Sequence, residues 1–334
     1  MIDLFDTFVQ LQQAARPSGL ESPCAKLLAQ WAAPLCDEVA IDPLGNVICH
    51  KKGPGKKLMM VAHMDVIGLL VTHIDEQGFL RFACIGGFTP YRLIGTRVRL
   101  ESGLCGCVCC DEKAAAKPAG QVKAGDLYID IGAKGREEAQ KLVQIGDVAM
   151  YEGDPVQVNG KVIGPYCDDL IACAALLKAM ELVENSENDL YFVFAVQEEV
   201  GLRGAQVASY GIEPDYGYCM DVTRTGDCPA EKAKMIVALG KGPAIKIKDS
   251  SLLCNPQAVA ALRRAAEENG IAYQDEVLLH GGTDTLSMLV SRTGAPAGCI
   301  SIPGRSIHST AETICIHDAE QAAALLACAA KRKI

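Results

Sequence analysis

Two adjacent carboxylates, Glu198 and Glu199, follow directly after an apolar run at residues 190–196. A run of this length and composition predicts a buried strand. Consecutive side chains at a strand end diverge, so the two acids are expected to have different tasks. One would coordinate a metal ion while the other stays free as a general base. An exposed acidic loop is the simpler alternative for the pair alone.

Potential metal ligands also follow three other apolar runs. They are His63 and Asp65 after residues 58–62, Asp221 after residues 216–220, and His308 shortly after residues 298–302. In open α/β sheets the working crevice lies outside the carboxyl ends of the strands, so these side chains are expected to converge there. Imidazole and carboxylate groups are typical zinc ligands. The sequence therefore predicts a metal site, although Asp221 alone could equally be a helix cap or a turn residue.

His63 and Asp65 stand two apart at the end of their run and so share one face of the strand. If His63 binds a metal through one ring nitrogen, Asp65 is placed to accept a hydrogen bond from the other. The alternative is a surface histidine beside a surface aspartate.

Asp168 and Asp169 stand where a loop turns into a helix that begins near Leu170. An aspartate at such a position is usually a helix N-cap. A carboxylate also has two oxygens, so one aspartate can bridge two cations that lie about 3.5–4 Å apart. Asp168 is the predicted bridge.

Cysteines at every second position, Cys105, Cys107 and Cys109, predict one face of a strand, where cysteine acts as a small hydrophobic residue. A thiolate metal site is the alternative, but no second cysteine pair stands at a zinc spacing nearby. His280, beside Gly281-Gly-Thr-Asp284, is a candidate pocket residue. The remaining histidines are interpreted as structural or surface residues: His50, His73 and His317.

The elements that position these residues alternate between helix and strand. Helices are predicted at 3–15, 21–36, 169–185, 203–210, 256–269 and 318–331, and strands at 57–63, 190–196, 216–221 and 297–302. This alternation predicts an α/β fold with a largely parallel sheet covered on both faces. Residues 73–161 instead show short alternating runs with one helical stretch at 136–145. We therefore expect an α/β domain formed by residues 1–72 and 162–334, with a β-rich insertion at 73–161.

Composition restricts the function further. The 334 residues carry a formal net charge of −9, which argues against general affinity for nucleic acid or for anionic membranes. No uncharged apolar run approaches the roughly 18 residues that span a bilayer. Sixteen cysteines are scattered along the chain, and the first residues are unlike a secretory leader, so reduced thiols in the cytoplasm are expected.

Six ordered motifs closely resemble the glutamyl aminopeptidase family of dinuclear metallopeptidases, also called tetrahedral or deblocking aminopeptidases. They are Val61-Ala-His-Met-Asp-Val-Ile-Gly68, Asp168-Asp169, Val196-Gln-Glu-Glu-Val-Gly-Leu-Arg-Gly204, Met220-Asp-Val-Thr223, Gly281-Gly-Thr-Asp284 and Ile302-Pro-Gly-Arg-Ser-Ile-His-Ser309. The resemblance covers nearly the whole chain. It implies a phosphorylase/hydrolase-like α/β domain, a mixed sheet sandwiched by helices, with a smaller β-rich insertion used in assembly.

The resemblance also implies a role for each site residue. His63 and Asp221 would hold one metal, Glu199 and His308 the other, and Asp168 would bridge them. Glu198 would be the general base and Asp65 the residue that orients His63. The family further implies a cis peptide between Asp168 and Asp169, two zinc or cobalt ions per subunit with manganese also suitable, peptide substrates, and a homo-oligomer built from dimers, typically of twelve subunits.

The chain departs from the family pattern at four positions: Val66 in place of Glu, Leu170 in place of Arg, Ala172 in place of Gly, and Ser306 in place of Tyr. None of them is a proposed ligand or the base, so they bear on substrate preference and rate. They also motivate one rival, a catalytically impaired peptide-binding relative. A glycan hydrolase is the other rival, but it needs two carboxyls about 5–10 Å apart and no metal, which adjacent glutamates and two histidines fit poorly.

Overall fold

The computed structural model describes residues 2–229 and 235–334. Its helices are α1 (Leu4–Ala14), α2 (Ser22–Ala32), α3 (Pro90–Leu93), α4 (Glu112–Ala115), α5 (Arg136–Leu142), α6 (Cys167–Leu182), α7 (Arg203–Ile212), α8 (Pro256–Glu268), α9 (Thr285–Leu289) and α10 (Ile316–Lys331). Its strands are β1 (Glu38–Ile41), β2 (Val47–Lys51), β3 (Lys57–His63), β4 (Gly68–Ile74), β5 (Leu80–Ile85), β6 (Arg97–Leu100), β7 (Cys105–Cys110), β8 (Leu127–Asp130), β9 (Val148–Tyr151), β10 (Val156–Val158), β11 (Lys161–Gly164), β12 (Asp189–Ala195), β13 (Tyr216–Arg224), β14 (Ala244–Lys248), β15 (Gln274–Val277), β16 (Ala297–Arg305) and β17 (Glu312–Cys315).

One large mixed sheet carries the candidate ligands. Its strands follow the order β1, β2, β12, β3, β13, β16, β17, β11 and β10, and β14 with β15 adds to β16. The four central strands β12, β3, β13 and β16 run parallel to one another. Their carboxyl ends therefore meet at one edge of the sheet. The predicted α/β class with a mixed sheet between helices is confirmed.

Helices cover the sheet in two groups. Helix α6 packs on β3 and β13 and contacts α1 and α10, while α7 packs on β12 and contacts α9. Sheets covered on both faces need strands that are apolar throughout, and β3 is buried from Leu58 to His63. Within residues 2–229 and 235–334, no helix is both long enough and apolar enough to cross a lipid bilayer.

A smaller closed barrel is inserted between β3 and the second half of the main sheet. It contains β4, β5, β8, β7, β6 and β9. Buried and exposed positions alternate in β6, where Val98 and Leu100 are buried and Arg97 and Arg99 are exposed. The barrel runs from Gly68 to Tyr151, whereas the sequence pattern places the insertion at 73–161. The difference arises because β10 and β11 are as short as the barrel strands but belong to the main sheet.

The predicted helices and strands of the α/β part are all present, with ends that differ by a few residues. Strand β7 contains Cys105, Cys107 and Cys109, as expected, but its thiol face is not the core face. Val108 is the fully buried residue of β7, and Cys105 is exposed. All sixteen cysteines are free.

Candidate active site

The carboxyl ends of the central strands bring the predicted residues together. His63 is the last residue of β3 and pairs with Ala195, the last residue of β12, which leads to Glu198 and Glu199. The pairing of β3 with β13 stops at Val61 and Cys219, so His63 and Asp221 lie just beyond it. Both side chains are almost completely buried.

Asp168 lies between the two imidazoles. Its Oδ1 is 3.3 Å from Nε2 of His63, and its Oδ2 is 3.4 Å from Nε2 of His308. The peptide between Asp168 and Asp169 is cis, as the resemblance implies, and both residues have non-helical backbone angles ahead of the regular part of α6. Asp168 thus offers one oxygen to each side of the site.

Two groups of donor atoms share Asp168. In one, single ligand atoms of His63, Asp168, Asp169 and Asp221 lie within 4.8 Å of one another. In the other, atoms of Asp168, Glu199 and His308 do so, with Glu199 Oε1 3.2 Å from His308 Nε2. We call these the His63 half and the His308 half of the site. Glu198 belongs to neither, and its Oε2 lies 3.8 Å from Nε2 of His63.

The charges in this cluster do not balance. Burial raises the pKa values of Asp221, Asp169 and Glu198 well above their ordinary range. Burial also opposes ionisation of Asp168, but hydrogen bonds from His308 and His63 hold the pKa of Asp168 below its usual value. Against its own burial, His308 has its pKa raised to about 11 by Asp168 and Glu199. The site thus gathers more acids than its two imidazoles can neutralise.

Asp65 contacts both the imidazole and the acidic loop. Nδ1 of His63 faces Asp65 as expected, but the main-chain oxygen of Asp65 is nearer, at 3.1 Å, than its Oδ1, at 3.5 Å. The carboxylate of Asp65 instead accepts hydrogen bonds from the main-chain N–H groups of Glu198 and Glu199, at 2.9 and 3.2 Å, and from the hydroxyl of Ser18. Asp65 therefore fixes the main chain from which both glutamate side chains extend.

Two further side chains hold the same loop. Asn46 accepts a hydrogen bond from the N–H of Val196 and donates one to the carbonyl of Gly204. Glu21 accepts a hydrogen bond from the N–H of Gln197. A Cβ on Gly204 would lie 2.2 Å from the carbonyl oxygen of Val196, so only glycine permits this close approach. The loop with the two glutamates is therefore anchored at both ends.

The His308 half depends on loops. His308 has a φ of 63°, and Ser306 has a φ of 56°, a region that non-glycine residues seldom occupy. The N–H of His308 donates to Oε1 of Glu312 at 2.7 Å, and the hydroxyl of Tyr151 donates to its carbonyl at 3.4 Å. Gly87, which follows β5 of the barrel, packs so closely that a Cβ there would lie 3.3 Å from Nδ1 of His308. The barrel thus contributes to this half.

A cavity of about 340 Å³ opens over the cluster. Its lining includes His63, Asp168, Asp221, Glu199 and His308 of the two halves, and also Glu198. Arg224, Lys246 and His280 line it as well, so the candidate pocket role of His280 agrees with the structure. The cavity is large enough to hold the end of a peptide.

The donor set fits divalent cations. Oxygen and imidazole nitrogen ligands on both sides of a shared carboxylate suit zinc, cobalt and manganese. Oδ1 of Asp169 is buried and accepts no hydrogen bond from the described part of the chain. A buried carboxylate oxygen without a hydrogen bond is costly, and a cation would offset that cost together with the excess of acids around it.

Sequence reasoning missed several residues of the site. The sequence places Asp169 only at the start of a helix and in the implied cis peptide, and its adjacency to Asp168 is the available signal. Glu312, four residues after His308, holds the main chain of that histidine, a role that spacing alone does not reveal. Gly86 and Gly87 come from the barrel, and no pattern in the sequence links the barrel to the site.

Comparison with known proteins gives results that agree with the sequence motifs. A family model described as M42 glutamyl aminopeptidase matches residues 45–325. A lysyl aminopeptidase of Pyrococcus furiosus is 37% identical over 83% of this chain and 82% of its own length.

Solved structures are also similar. The aminopeptidase APDkam598 of the archaeon Desulfurococcus kamchatkensis superimposes with a TM-score of 0.94 at 34% identity, covering 98% of this chain and 94% of its own. The TET1 peptidase of Pyrococcus horikoshii, described as able to assemble into a tetrahedron or a large octahedral shell, gives a TM-score of 0.87 at 30% identity, with 98% and 99% coverage.

Proposed function

The chain belongs to the M42 glutamyl aminopeptidase family and is a hydrolase, and from this premise we propose that it removes N-terminal residues from peptides with two divalent metal ions and with Glu198 as general base. The resemblance of the sequence motifs to this family is thereby confirmed. The observation that carries the proposal is the position of Asp168, with one oxygen 3.3 Å from His63 and the other 3.4 Å from His308.

Each half of the site would hold one ion. His63 and Asp221 are the ligands of the first, Glu199 and His308 those of the second, and Asp168 bridges them. Asp169 lies close enough to these first ligands to stabilise the first ion by its negative charge. Two bound divalent cations supply Lewis acidity for the scissile carbonyl and lower the pKa of the attacking water. Zinc and cobalt suit these ligands, and manganese is compatible.

Glu198 performs the proton transfers in this proposal. It takes a proton from the attacking water and returns it to the nitrogen of the leaving peptide. Its carboxylate lies outside both donor groups, with Oε2 3.8 Å from Nε2 of His63, so it stays free to accept a proton. The hydrogen bond from its main-chain N–H to Asp65 fixes the main chain of Glu198 beside the site. Asp65, by facing Nδ1 of His63, orients the imidazole as well.

Membership of the same family also bears on how the protein assembles and where it is located. We propose that the β-rich insertion, placed by the sequence at 73–161, mediates a homo-oligomer built from dimers, up to a dodecamer. The assembly described for the TET1 peptidase supports this. Sixteen free thiols support a reducing compartment, the cytoplasm. The wall formed by Arg224, Lys246 and His280 belongs to the substrate pocket.

The experiment is a panel of aminoacyl chromogenic substrates assayed with zinc, cobalt or manganese, before and after exhaustive chelation. The proposal predicts hydrolysis that disappears on chelation and returns with metal. Folded protein that cleaves no member of the panel would instead indicate the impaired peptide-binding relative. Full activity on a glycan after chelation would indicate a metal-independent glycan hydrolase.

A further inference from the structure

One buried carboxylate, Glu312 at the start of β17, holds the main chain of two proposed ligands at once. Its Oε1 accepts the hydrogen bond from the N–H of His308 at 2.7 Å, and its Oε2 accepts one from the N–H of Asp168 at 3.0 Å. The side chain is only 2% exposed, and it binds no metal in the proposed scheme. We infer that Glu312 is a positioning residue that sets the spacing of Asp168 and His308 and thereby controls metal binding in the His308 half.

The sheet brings Glu312 to this position. Strand β17 pairs with β11, where Gly164 lies opposite Glu312, and β11 leads directly into the Asp168 turn. On its other side β17 pairs with the end of β16, which leads into the His308 loop. The two ligand segments therefore leave neighbouring strands on either side of Glu312. A carboxylate with two acceptor oxygens at this point can hold both segments.

The His308 loop needs such a hold because few other contacts define it. His308 and Ser306 both have positive φ values, which cost free energy that surrounding contacts must offset. By contrast, His63 is part of β3, and strand pairing fixes its main chain. Residues that support ligands in this way typically change metal affinity by 10–100-fold when mutated. The effect of Glu312 should therefore be largest in the His308 half and smaller in the His63 half, which shares only Asp168 with it.

This inference rests on the proposed function, since it requires that the subunit binds two ions. The test measures zinc stoichiometry of the full-length protein by native mass spectrometry after equilibration in buffers of stepped free zinc concentration. Glu312→Gln retains the size of the side chain but replaces one acceptor oxygen with an NH₂ group. We expect one ion to bind about 10–100-fold more weakly and the other to be weakened much less, because its half contains only one of the two ligands that Glu312 holds.

A matched control separates positioning from general loss of structure. Asp318 is also a buried carboxylate that accepts two main-chain hydrogen bonds, from Gly240 and Gly242 at 2.7 and 2.8 Å, but it lies outside the site. Asp318→Asn should affect thermal stability to a similar degree and leave both zinc affinities unchanged. Equal loss of zinc in the two variants would overturn the inference.

Glu312→Asp distinguishes geometry from charge, and it also serves if Glu312→Gln does not fold. It keeps the negative charge but is too short to reach both N–H groups, so weaker binding of one ion is again expected. If the unaltered subunit binds neither zinc nor, in the same experiment, cobalt or manganese, the proposed function fails. If it binds two ions and the folded Glu312 variants bind both with unchanged affinity, the Glu312 inference alone fails.

Discussion

The two imidazoles that face Asp168 are held by different kinds of structure. His63 is 2% exposed and ends a central strand, and its main-chain N–H donates to Asp169 at 3.2 Å. The side chain of His308 is 23% exposed and lies on a loop with a positive φ, supported by Glu312, Tyr151 and the barrel residue Gly87.

The His63 half therefore takes His63 and Asp221 from paired strands of the sheet, whereas His308 comes from a loop that contacts the barrel. In the His63 half, main-chain pairing defines the positions of these two residues before any ion binds. In the His308 half, a few side-chain contacts do so. Mutations that test the two halves should therefore have different effects on folding and on metal binding.

The largest effect on catalysis is expected from Glu198, which belongs to neither half of the site. Glu198→Gln removes the proposed base but no ligand, so kcat should fall by about 10²–10⁴-fold while zinc content stays at that of the unaltered protein. Steady-state kinetics and elemental analysis measure the two quantities. Glu137→Gln, at an exposed position of α5, is the control. Turnover at the original rate in Glu198→Gln would exclude the role.

Replacing each histidine by alanine tests the two halves directly. His63→Ala leaves buried acids without their partner and should lower the free energy of unfolding of the chelated protein by about 3 kcal/mol. His308→Ala should lower it by about 1 kcal/mol, because water reaches that side chain. Chemical denaturation with a chelator present gives both values. Equal losses of unfolding free energy would show that the sheet does not hold His63 more firmly than the loops hold His308.

The pH dependence of stability tests the surroundings of the His63 half. Burial raises the pKa of Asp284 to about 7, with a further contribution from Asp65. In the unfolded chain the pKa of this carboxyl is about 3.9. The folded protein therefore binds more protons than the unfolded chain between roughly pH 4 and pH 7. The stability contributed by this group therefore falls as pH rises through that window and is constant above it.

Asp284→Asn removes this ionisation. In chelated protein, the variant should lose less stability than the unaltered protein between pH 5 and pH 8, by on the order of 2 kcal/mol. Thermal melts at the two pH values give the comparison. A pH dependence identical to that of the unaltered protein would mean that Asp284 does not titrate in this window.

The smallest effect is expected where the barrel touches the His308 half. A Cβ at residue 87 would lie 3.3 Å from Nδ1 and 3.4 Å from Cε1 of His308, so Gly87→Ala should displace the ring by a few tenths of an ångström. Zinc affinity of this half should weaken severalfold, as measured by competition with a chromophoric chelator. Gly120→Ala, where no atom lies within 4 Å of the added Cβ, is the control. Unchanged affinity in Gly87→Ala would show that the barrel does not support His308.

The contrast between strand ends and loops also explains which residues of the site could be predicted from the sequence. Apolar runs that end near His63, Asp221 and Glu198 identify strand ends, and strand ends in a parallel sheet converge, so the proximity of these three residues follows from pattern and topology. The contacts of Gly87 and Tyr151 with His308 could not be predicted, because they join the barrel to the sheet across distant parts of the chain. Strands β10 and β11 were assigned to the insertion because short strands look alike in sequence, whichever sheet they join.

The proposed position of Asp168 between two metal ions can be tested by anomalous diffraction at the zinc absorption edge, with crystals of the protein grown with zinc. We expect two peaks about 3.5–4 Å apart, one between His63 and Asp221 and one between Glu199 and His308, with Asp168 shared. Saturated crystals with no peak beside Asp168, or with both ions bound elsewhere, would contradict it.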